Sequence, residues 1–254
     1  MNSRGMKLAA VVSAFSILLS RTGHGLQGTQ SDPDAESLFR KMADKVATAK
    51  ALHIACQGQF KTPGFEAMVK ACLWLKEGGK MRMDLDTNGS KDGQPYSYSL
   101  RMISDGSALR LRENTGQWTT YAAPKTWNQT IALNLCRGGF PSGLELSRLR
   151  KEGESKGDFA LTFRPVAAPV DFTLWKKETL GKRETVPIEF TVKDEDAAFI
   201  KESCAILWLD PESSLPLKRL NMVRSDRTLT VTEIYDKFLI NEPVDDSIFS
   251  VPSE

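Results

Sequence analysis

The stretch HIACQGQFKTPGFEAMVKACLWLKEGGKMRMDLD, His53 to Asp86, decides the fold class of this chain. Within it, Pro63-Gly64 and Gly78-Gly79 separate three runs in which apolar residues return at every second position. This alternation is typical of strands with one buried face, and glycine-containing dipeptides between such runs indicate hairpin turns. The stretch therefore predicts three antiparallel strands joined by short turns.

The same pattern continues towards the C-terminus. Further turn signals stand at Asn88-Gly89, Asp105-Gly106 and Thr115-Gly116. Further strands are predicted near residues 96–104, 108–113, 117–122, 158–164, 171–179, 185–193, 203–209, 216–223 and 228–238. Roughly a dozen strands with such short connections favour a strongly curved antiparallel sheet, whose inner face either packs on its own helices or encloses a ligand.

Three helices are predicted outside the strands. Ser31-Asp32-Pro33-Asp34 is a helix start, and apolar residues follow at helical spacing from Leu38 to Val46. In the middle of the chain, Thr126 caps a stretch with Trp127, Ile131 and Leu135 on one side, and Leu144 to Leu149 is predicted as a second short helix.

The N-terminus is typical of a secretory signal peptide. Arg4 and Lys7 precede an uncharged run, Leu8 to Ser20, and small residues follow at Gly23-His24-Gly25. A membrane-spanning helix needs about 20 apolar residues, and this run is shorter. We expect residues 1–25 to be removed and residues 26–254 to form one soluble domain. An uncleaved N-terminal anchor is the alternative.

Charge and cysteine usage exclude several function classes. The chain has 34 basic and 32 acidic residues; without Arg4, Lys7 and Arg21 the basic count falls to 31. Such a balance provides no basic stripe for nucleic acid. The cysteines form no CxxC pair, and one histidine remains after residue 25, so neither a metal site nor another cofactor is expected. A monomer is expected.

Cys56 and Cys72 lie equally far from Gly64. A hairpin centred on Gly64 would place them opposite each other, where an oxidising compartment permits a disulfide. The alternative is two small apolar side chains packed side by side.

The sequence predicts no catalytic site. His53 is the histidine that remains, and no nucleophile elbow, metalloprotease helix or phosphate loop is present. An enzyme is therefore not expected. The large apolar residues instead lie on nearly every strand, and they form either a filled core or a cavity for acyl chains, in which methionine gives adaptable contacts. Composition decides neither this question nor which strand face points inward. The candidates to line a cavity are Phe60, Trp74, Met81, Met83, Met102, Trp118 and Trp208.

Three stretches resemble the LolA/LolB-like superfamily of periplasmic lipoprotein carriers and outer-membrane lipoprotein-sorting proteins. They are the helix and strand Leu38 to Phe60, the segment LWLKEGGKMRMDLD (Leu73 to Asp86), and LWLDPESSLPLKRLNMV (Leu207 to Val223) with the LTVTEIYDKFLINEPVDDSIFSVP that follows. Residues 150–202 match poorly.

The resemblance implies an α+β fold: an open antiparallel barrel of about eleven strands, closed by an N-terminal helix and mid-chain helices over an apolar cavity. It also implies a periplasmic protein that binds acyl chains or lipoproteins and that meets membrane-associated partner proteins. Arg82 matches the arginine that in carriers contacts the helical lid, and the lid here would carry Trp127, Ile131 and Leu135. The alternative function is a periplasmic sensor or adaptor that binds a protein partner.

Overall fold

The computed structural model describes residues 31–123, 127–140, 146–150, 159–163, 166–193, 202–223 and 229–250. Within these ranges the chain forms helices α1 (Pro33–Ala47) and α2 (Trp127–Gly138) and a short 3-10 helix (Asp246–Phe249). The strands are β1 (Ala51–Thr62), β2 (Phe65–Lys76), β3 (Lys80–Lys91), β4 (Gln94–Asp105), β5 (Ala108–Glu113), β6 (Thr119–Ala122), β7 (Leu146–Arg150), β8 (Phe159–Phe163), β9 (Pro169–Leu174), β10 (Glu178–Leu180), β11 (Arg183–Lys193), β12 (Glu202–Leu209), β13 (Pro216–Val223) and β14 (Leu229–Ile240).

Twelve strands form one antiparallel sheet. Its order is β10, β11, β12, β13, β14, β1, β2, β3, β4, β5, β6, and β9 pairs with β11. β7 and β8 form a separate two-stranded sheet. The last strand, β14, lies beside the first, β1, and this pairing joins the two halves of the meander. The predicted α+β fold with an open antiparallel sheet is confirmed. Among the described residues this sheet has twelve strands, where the strand pattern predicted roughly a dozen and the family resemblance implied about eleven.

The sheet curls around the helices. α1 contacts β9 and β11 near one end of the strand order, and it also contacts α2. α2 contacts β8, which contacts β6 at the other end. We call the sheet face that carries the core and meets these helices the inner face, and the opposite one the outer face.

Strict alternation along the strands separates the two faces. In β3, Met81, Met83 and Leu85 are buried, whereas Arg82 and Asp84 between them are half-exposed. Each buried side chain of this size stabilises the fold by about 1.5–3 kcal/mol relative to leaving it in water.

α1 begins where the sequence predicts, because the Asp32 carboxylate accepts hydrogen bonds from the backbone N–H groups of Asp34 (2.9 Å) and Ala35 (3.2 Å). On its buried side the Phe39 ring lies 5.4 Å from Phe172 and 4.9 Å from Phe190, so α1 packs into the inner face through an aromatic cluster.

Two element predictions were wrong. The segment from Leu144 to Leu149, predicted as a helix, carries β7, which begins at Leu146. The strand predicted over residues 171–179 is divided between β9 and β10.

The turn predicted at Asn88-Gly89 was also wrong, because both residues lie inside β3. The turn comes later, at Asp92 and Gly93, whose φ angles are 52° and 78°. Gly89 serves close packing of β2 against β3: a Cβ there would lie 2.1 Å from the Glu66 carbonyl oxygen. Glycine marks a near approach of two backbones as readily as a turn.

The Cys56–Cys72 disulfide that the sequence left possible does not form, because the hairpin is centred half a residue before Gly64. Thr62 pairs with Phe65, so Cys56 lies opposite Ala71 and Cys72 opposite Ala55. Neighbouring register positions point to opposite faces of a sheet. Both thiols are free, and the alternative of side-by-side packing fails for the same reason.

Candidate functional site

The inner face carries four of the seven residues that the sequence proposed as cavity lining. Met81, Met83 and Met102 are almost fully buried in one continuous core cluster. Phe60 is partly buried and packs against the same cluster near the end of β1. Because these side chains come from β1, β3 and β4, they form an apolar surface that crosses several strands.

The three predicted tryptophans do not line this surface. Trp74 lies on the outer face, where its ring stacks on His53 at 4.9 Å. Trp118 stands between β5 and β6, with the Arg112 guanidinium 4.8 Å from its ring. Trp208 lies between the inward-pointing Leu207 and Leu209, so it points to the outer face, where its indole N–H donates to Glu178.

α2 covers part of the inner face. Ile131 and Leu135, both predicted as lid residues, are buried in the core cluster. The side chain of the third, Trp127, lies outside the described residues. Arg82, which the resemblance assigned to this contact, lies on the outer face. It donates to Asp84 (2.9 Å) and to the Ile248 carbonyl (3.4 Å).

A different arginine, Arg219 of β13, bonds the C-terminal end of α2. Its guanidinium donates to the carbonyl oxygens of Cys136 at 2.9 Å, Leu135 at 3.3 Å and Arg137. These are carbonyls of the last helical turn, which lack partners within the helix and carry partial negative charge. Asn221 adds a bond to the next carbonyl, that of Gly138, at 2.9 Å. We call Arg219, Asn221 and Glu233 the helix anchor.

Glu233 completes the helix anchor from β14. It lies directly opposite Arg219 in the ladder, and the two side chains are fully buried. Its carboxylate accepts from the Phe140 N–H (2.9 Å) and from the Tyr235 hydroxyl (2.5 Å). Burial, and then the Glu233 charge, raise the pKa of Tyr235 well above its usual value, so the phenol stays protonated and donates.

Gly139 allows the chain to turn away immediately after α2. Its φ is +83°, and a Cβ at this position would lie 2.7 Å from a Glu233 carboxylate oxygen and 2.8 Å from Arg219 Cδ. Only glycine fits here, because the left-handed backbone and the close approach of the anchor both exclude a side chain.

The helix anchor is not among the residues predicted from the sequence, although a signal for it is present. In the run VTEIY of β14, Glu233 stands at the inward position between Val231 and Tyr235. A carboxylate in an apolar alternation implies a buried partner, since an unpaired buried charge is costly. Arg219 holds the matching inward position in β13.

The free thiols next to this site are protected from ionisation. Burial, followed by the Glu233 charge, raises the pKa of Cys56, whose Sγ donates to the Phe140 carbonyl at 3.5 Å. Burial raises the pKa of Cys136 in α2 to about 12. On the outer face, burial and then Asp84 raise the pKa of Cys72 to about 11, and its Sγ lies 3.6 Å from His53 Nε2.

Cys72 is expected to react with iodoacetamide at pH 8 roughly a hundredfold more slowly than a free cysteine of pKa about 8.5, because the thiolate is the nucleophile. A pKa near 11 also means that the rate rises about tenfold per pH unit between pH 8 and pH 10. Mass spectrometry of the Cys72 peptide measures both rates, and Cys72→Ser confirms the assignment. A rate that levels off near pH 9 would contradict the prediction.

The described residues contain no helix long and apolar enough to cross a membrane and no group of three or more side chains suited to hold a metal ion. His53, for which the sequence predicts no catalytic role, stacks on Trp74. Its pKa is lowered by burial and then by Lys237.

No family model and no curated protein matches the chain. Among solved structures it is similar to LprF from Mycobacterium bovis, at 11% identity and a TM-score of 0.49 over 85% of this chain and 97% of that one. It is similar to lipoprotein LppX from Mycobacterium tuberculosis, at 14% identity and a TM-score of 0.44 over 85% and 99%. A LolA superfamily protein from Nitrosomonas europaea matches at 12% identity and 0.31 over 85% and 97%. The strand order and helix placement of this chain itself show the fold that the sequence resemblance implied, an open antiparallel sheet curled around helices.

Proposed function

We propose that this protein binds acyl chains, free or as part of a lipoprotein, on the inner face of its sheet after export to the periplasm. The observation that carries the proposal is the way α2 is held. The helix anchor bonds α2 to the sheet at the C-terminal end of the helix. Asn134 and Arg137 bond the Val166 backbone, at 2.9 Å and 2.7 Å. Along the helix, Ile131 and Leu135 make apolar contacts, which an acyl chain would reproduce without loss.

The apolar surface suits a ligand of this class. Met81, Met83 and Met102 are unbranched and polarisable, so they adapt to the shape of a flexible hydrocarbon chain. A non-directional apolar surface also tolerates chains of different length. In the described structure the helices occupy this surface, and binding therefore includes displacement of α2.

Export is part of the proposal. It is supported by the N-terminal sequence, in which Arg4 and Lys7 precede the uncharged run Leu8 to Ser20. Membrane-associated partners that deliver or receive the acylated cargo follow from the same proposal, because an acyl chain is not released into water.

Phe60→Glu is expected to weaken acyl-chain binding by about tenfold or more, because a carboxylate against a hydrocarbon chain is poorly solvated. Phe60 is partly buried and pairs with Ala67 and Val231, so its replacement is expected to lower the free energy of unfolding by only about 1–2 kcal/mol. Displacement of a fluorescent fatty acid measures binding, and urea denaturation measures stability. Met83 is too deeply buried to be used for this test, since a charge at that position would unfold the core.

Met68→Glu is the matched control. Met68 lies one strand away on the outer face and is 45% exposed. Its replacement by glutamate introduces the same charge without disturbing the core. Its binding should equal that of the unaltered protein. If both variants bind alike, the inner face is not the ligand site.

The second candidate function, partner binding as a sensor or adaptor, gains support from the outer face. Trp175 is 48% exposed there, with its indole N–H donating to Glu189 at 2.9 Å. Absence of any acyl-chain binding by the unaltered protein, in native mass spectrometry and in the fluorescence assay, would favour this function over the first.

A further inference from the structure

A second site lies on the outer face, where the segment 244–250 crosses β2, β3 and β4. Lys76 Nζ donates to the Val244 carbonyl at 3.0 Å, and the Asp246 carboxylate bonds both Lys76 and Lys80 at 2.7 Å. Phe249 is 2% exposed, as a result of packing against the sheet. We call residues 244–250 the C-terminal strap.

The C-terminal strap leaves an open pocket of about 320 Å³ beside β3, β4 and β5. This volume is at the lower end of the range for small-molecule sites. Ile103 and Phe249 contribute apolar surface, and both are almost fully buried. The charged lining residues are Lys80, Asp105, Arg110 and Asp246.

Two of these four charges are paired with each other, and two are not. Lys80 is bonded to Asp246, which also bonds Lys76. Arg110 has no hydrogen-bond or ion-pair partner among the described residues. Asp105 uses one carboxylate oxygen, Oδ1, to accept from Ser107 N–H (2.8 Å) and Ala108 N–H (3.0 Å), whereas no described group bonds its other oxygen.

Arg110 and Asp105 line the same pocket without forming an ion pair. The four charges of the lining sum to zero, and Lys76, which shares Asp246 with Lys80, adds one positive charge beside them. The pocket offers a guanidinium fork for a carboxylate or phosphate and a separate carboxylate oxygen for an ammonium group. The hydrogen bonds from the Ala108 backbone N–H, and then from the hydroxyl and backbone N–H of Ser107, hold the pKa of Asp105 at about 2, which keeps this carboxylate charged at neutral pH.

We propose that this pocket binds a small zwitterion, whose anionic group pairs with Arg110, whose ammonium group pairs with Asp105, and whose apolar portion rests on Ile103 and Phe249. Free apolar amino acids have this chemistry, and the ethanolamine headgroup of phospholipids shares its charges. The site is independent of acyl-chain binding, because it lies on the opposite face of the sheet.

Titration of the full chain with L-leucine tests the proposal, with the NMR signals of Ile103 and Phe249 as readout. Saturable shifts are expected for leucine. Two analogues that each lack one charge, 4-methylpentanoate and isoamylamine, should bind roughly tenfold or more weakly, because each leaves one charged group of the pocket unpaired. Vesicles of phosphatidylethanolamine identify the source: binding to vesicles without binding to leucine assigns the headgroup.

Arg110→Gln should weaken zwitterion binding by roughly tenfold or more and leave the fold unchanged, since Arg110 is exposed. Arg112→Gln is the matched control: it removes the same charge two residues along β5 but does not line the pocket. The proposal is overturned if leucine and vesicles both give no saturable shift, if the singly charged analogues bind equally well, or if Arg110→Gln binds as the unaltered protein does.

Discussion

Arg219→Met is expected to lower the free energy of unfolding by about 3–5 kcal/mol, because it leaves buried carbonyl groups without a charged donor and the buried Glu233 carboxylate without the cation opposite it. Arg219 is 1% exposed. Its guanidinium donates hydrogen bonds to carbonyls of the last turn of α2 and to the Asn221 side-chain oxygen. Without it, the carbonyls of Cys136 and Arg137 lose this donor, whereas that of Leu135 keeps the Gly139 N–H at 3.1 Å. The Glu233 carboxylate stays buried without the cation opposite it in the ladder.

The same substitution should release α2 before it unfolds the sheet. Because the polar bonds of the helix anchor are concentrated at one end of α2, the amides of residues 135–140 are expected to exchange with solvent much faster in the variant. The β1–β2 hairpin should keep its protection. Hydrogen exchange followed by mass spectrometry measures both regions, and urea denaturation measures the loss of stability.

Lys218→Met is the matched control, because Lys218 is the neighbouring residue on the outer face, where its ammonium lies 4.3 Å from the Trp208 ring. Its effect is expected to stay within about 1 kcal/mol. A double variant of Arg219→Met with Glu233→Gln should be less destabilised than the sum of the single variants, since the second change removes the unpaired charge. Strict additivity would show that the two residues do not act together.

Phe190→Ala is expected to lower the free energy of unfolding by about 3–5 kcal/mol as well, through lost burial and the cavity that remains. Phe190 is fully buried in β11, and its ring lies 4.9 Å from Phe39 of α1 and 5.8 Å from Phe172 of β9. The Arg219 guanidinium lies 5.5 Å from the same ring. Phe190 therefore connects α1, the sheet and the helix anchor.

Thermal and urea denaturation measure this loss. Thr191→Ala, the next residue and half-exposed on the outer face, should change stability by about 0.5 kcal/mol or less. Phe190→Leu should recover much of the loss, because it restores most of the apolar volume. If Phe190→Ala costs no more than Thr191→Ala, the aromatic cluster does not hold α1 to the sheet.

Most strand positions were predictable because the signal is local. In β2 and β3 each buried side chain is two residues from the next, and this period is set by the geometry of a single strand. The cap of α1 at Asp32 is equally local, since the carboxylate bonds N–H groups two and three residues away.

Register was less predictable, and small errors in it had large consequences. The Pro63-Gly64 signal located the β1–β2 turn correctly, but a centre shifted by half a residue moved Cys72 to the other face from Cys56. At Gly89 the sequence did not distinguish a turn from a close approach of two strands.

By itself, the sequence determined that the chain folds into a curled antiparallel sheet with an amphipathic helix, because period and turn chemistry are properties of short segments. Only the tertiary structure decided that the three methionines point inward while Trp74 and Arg82 point outward. It also decided that Arg219 and Glu233, rather than Arg82, hold the end of α2. Those residues are 14 positions apart from each other and more than 80 from the helix carbonyls that Arg219 bonds. Their pairing depends on which strands become neighbours, and no local pattern in the sequence carries that information.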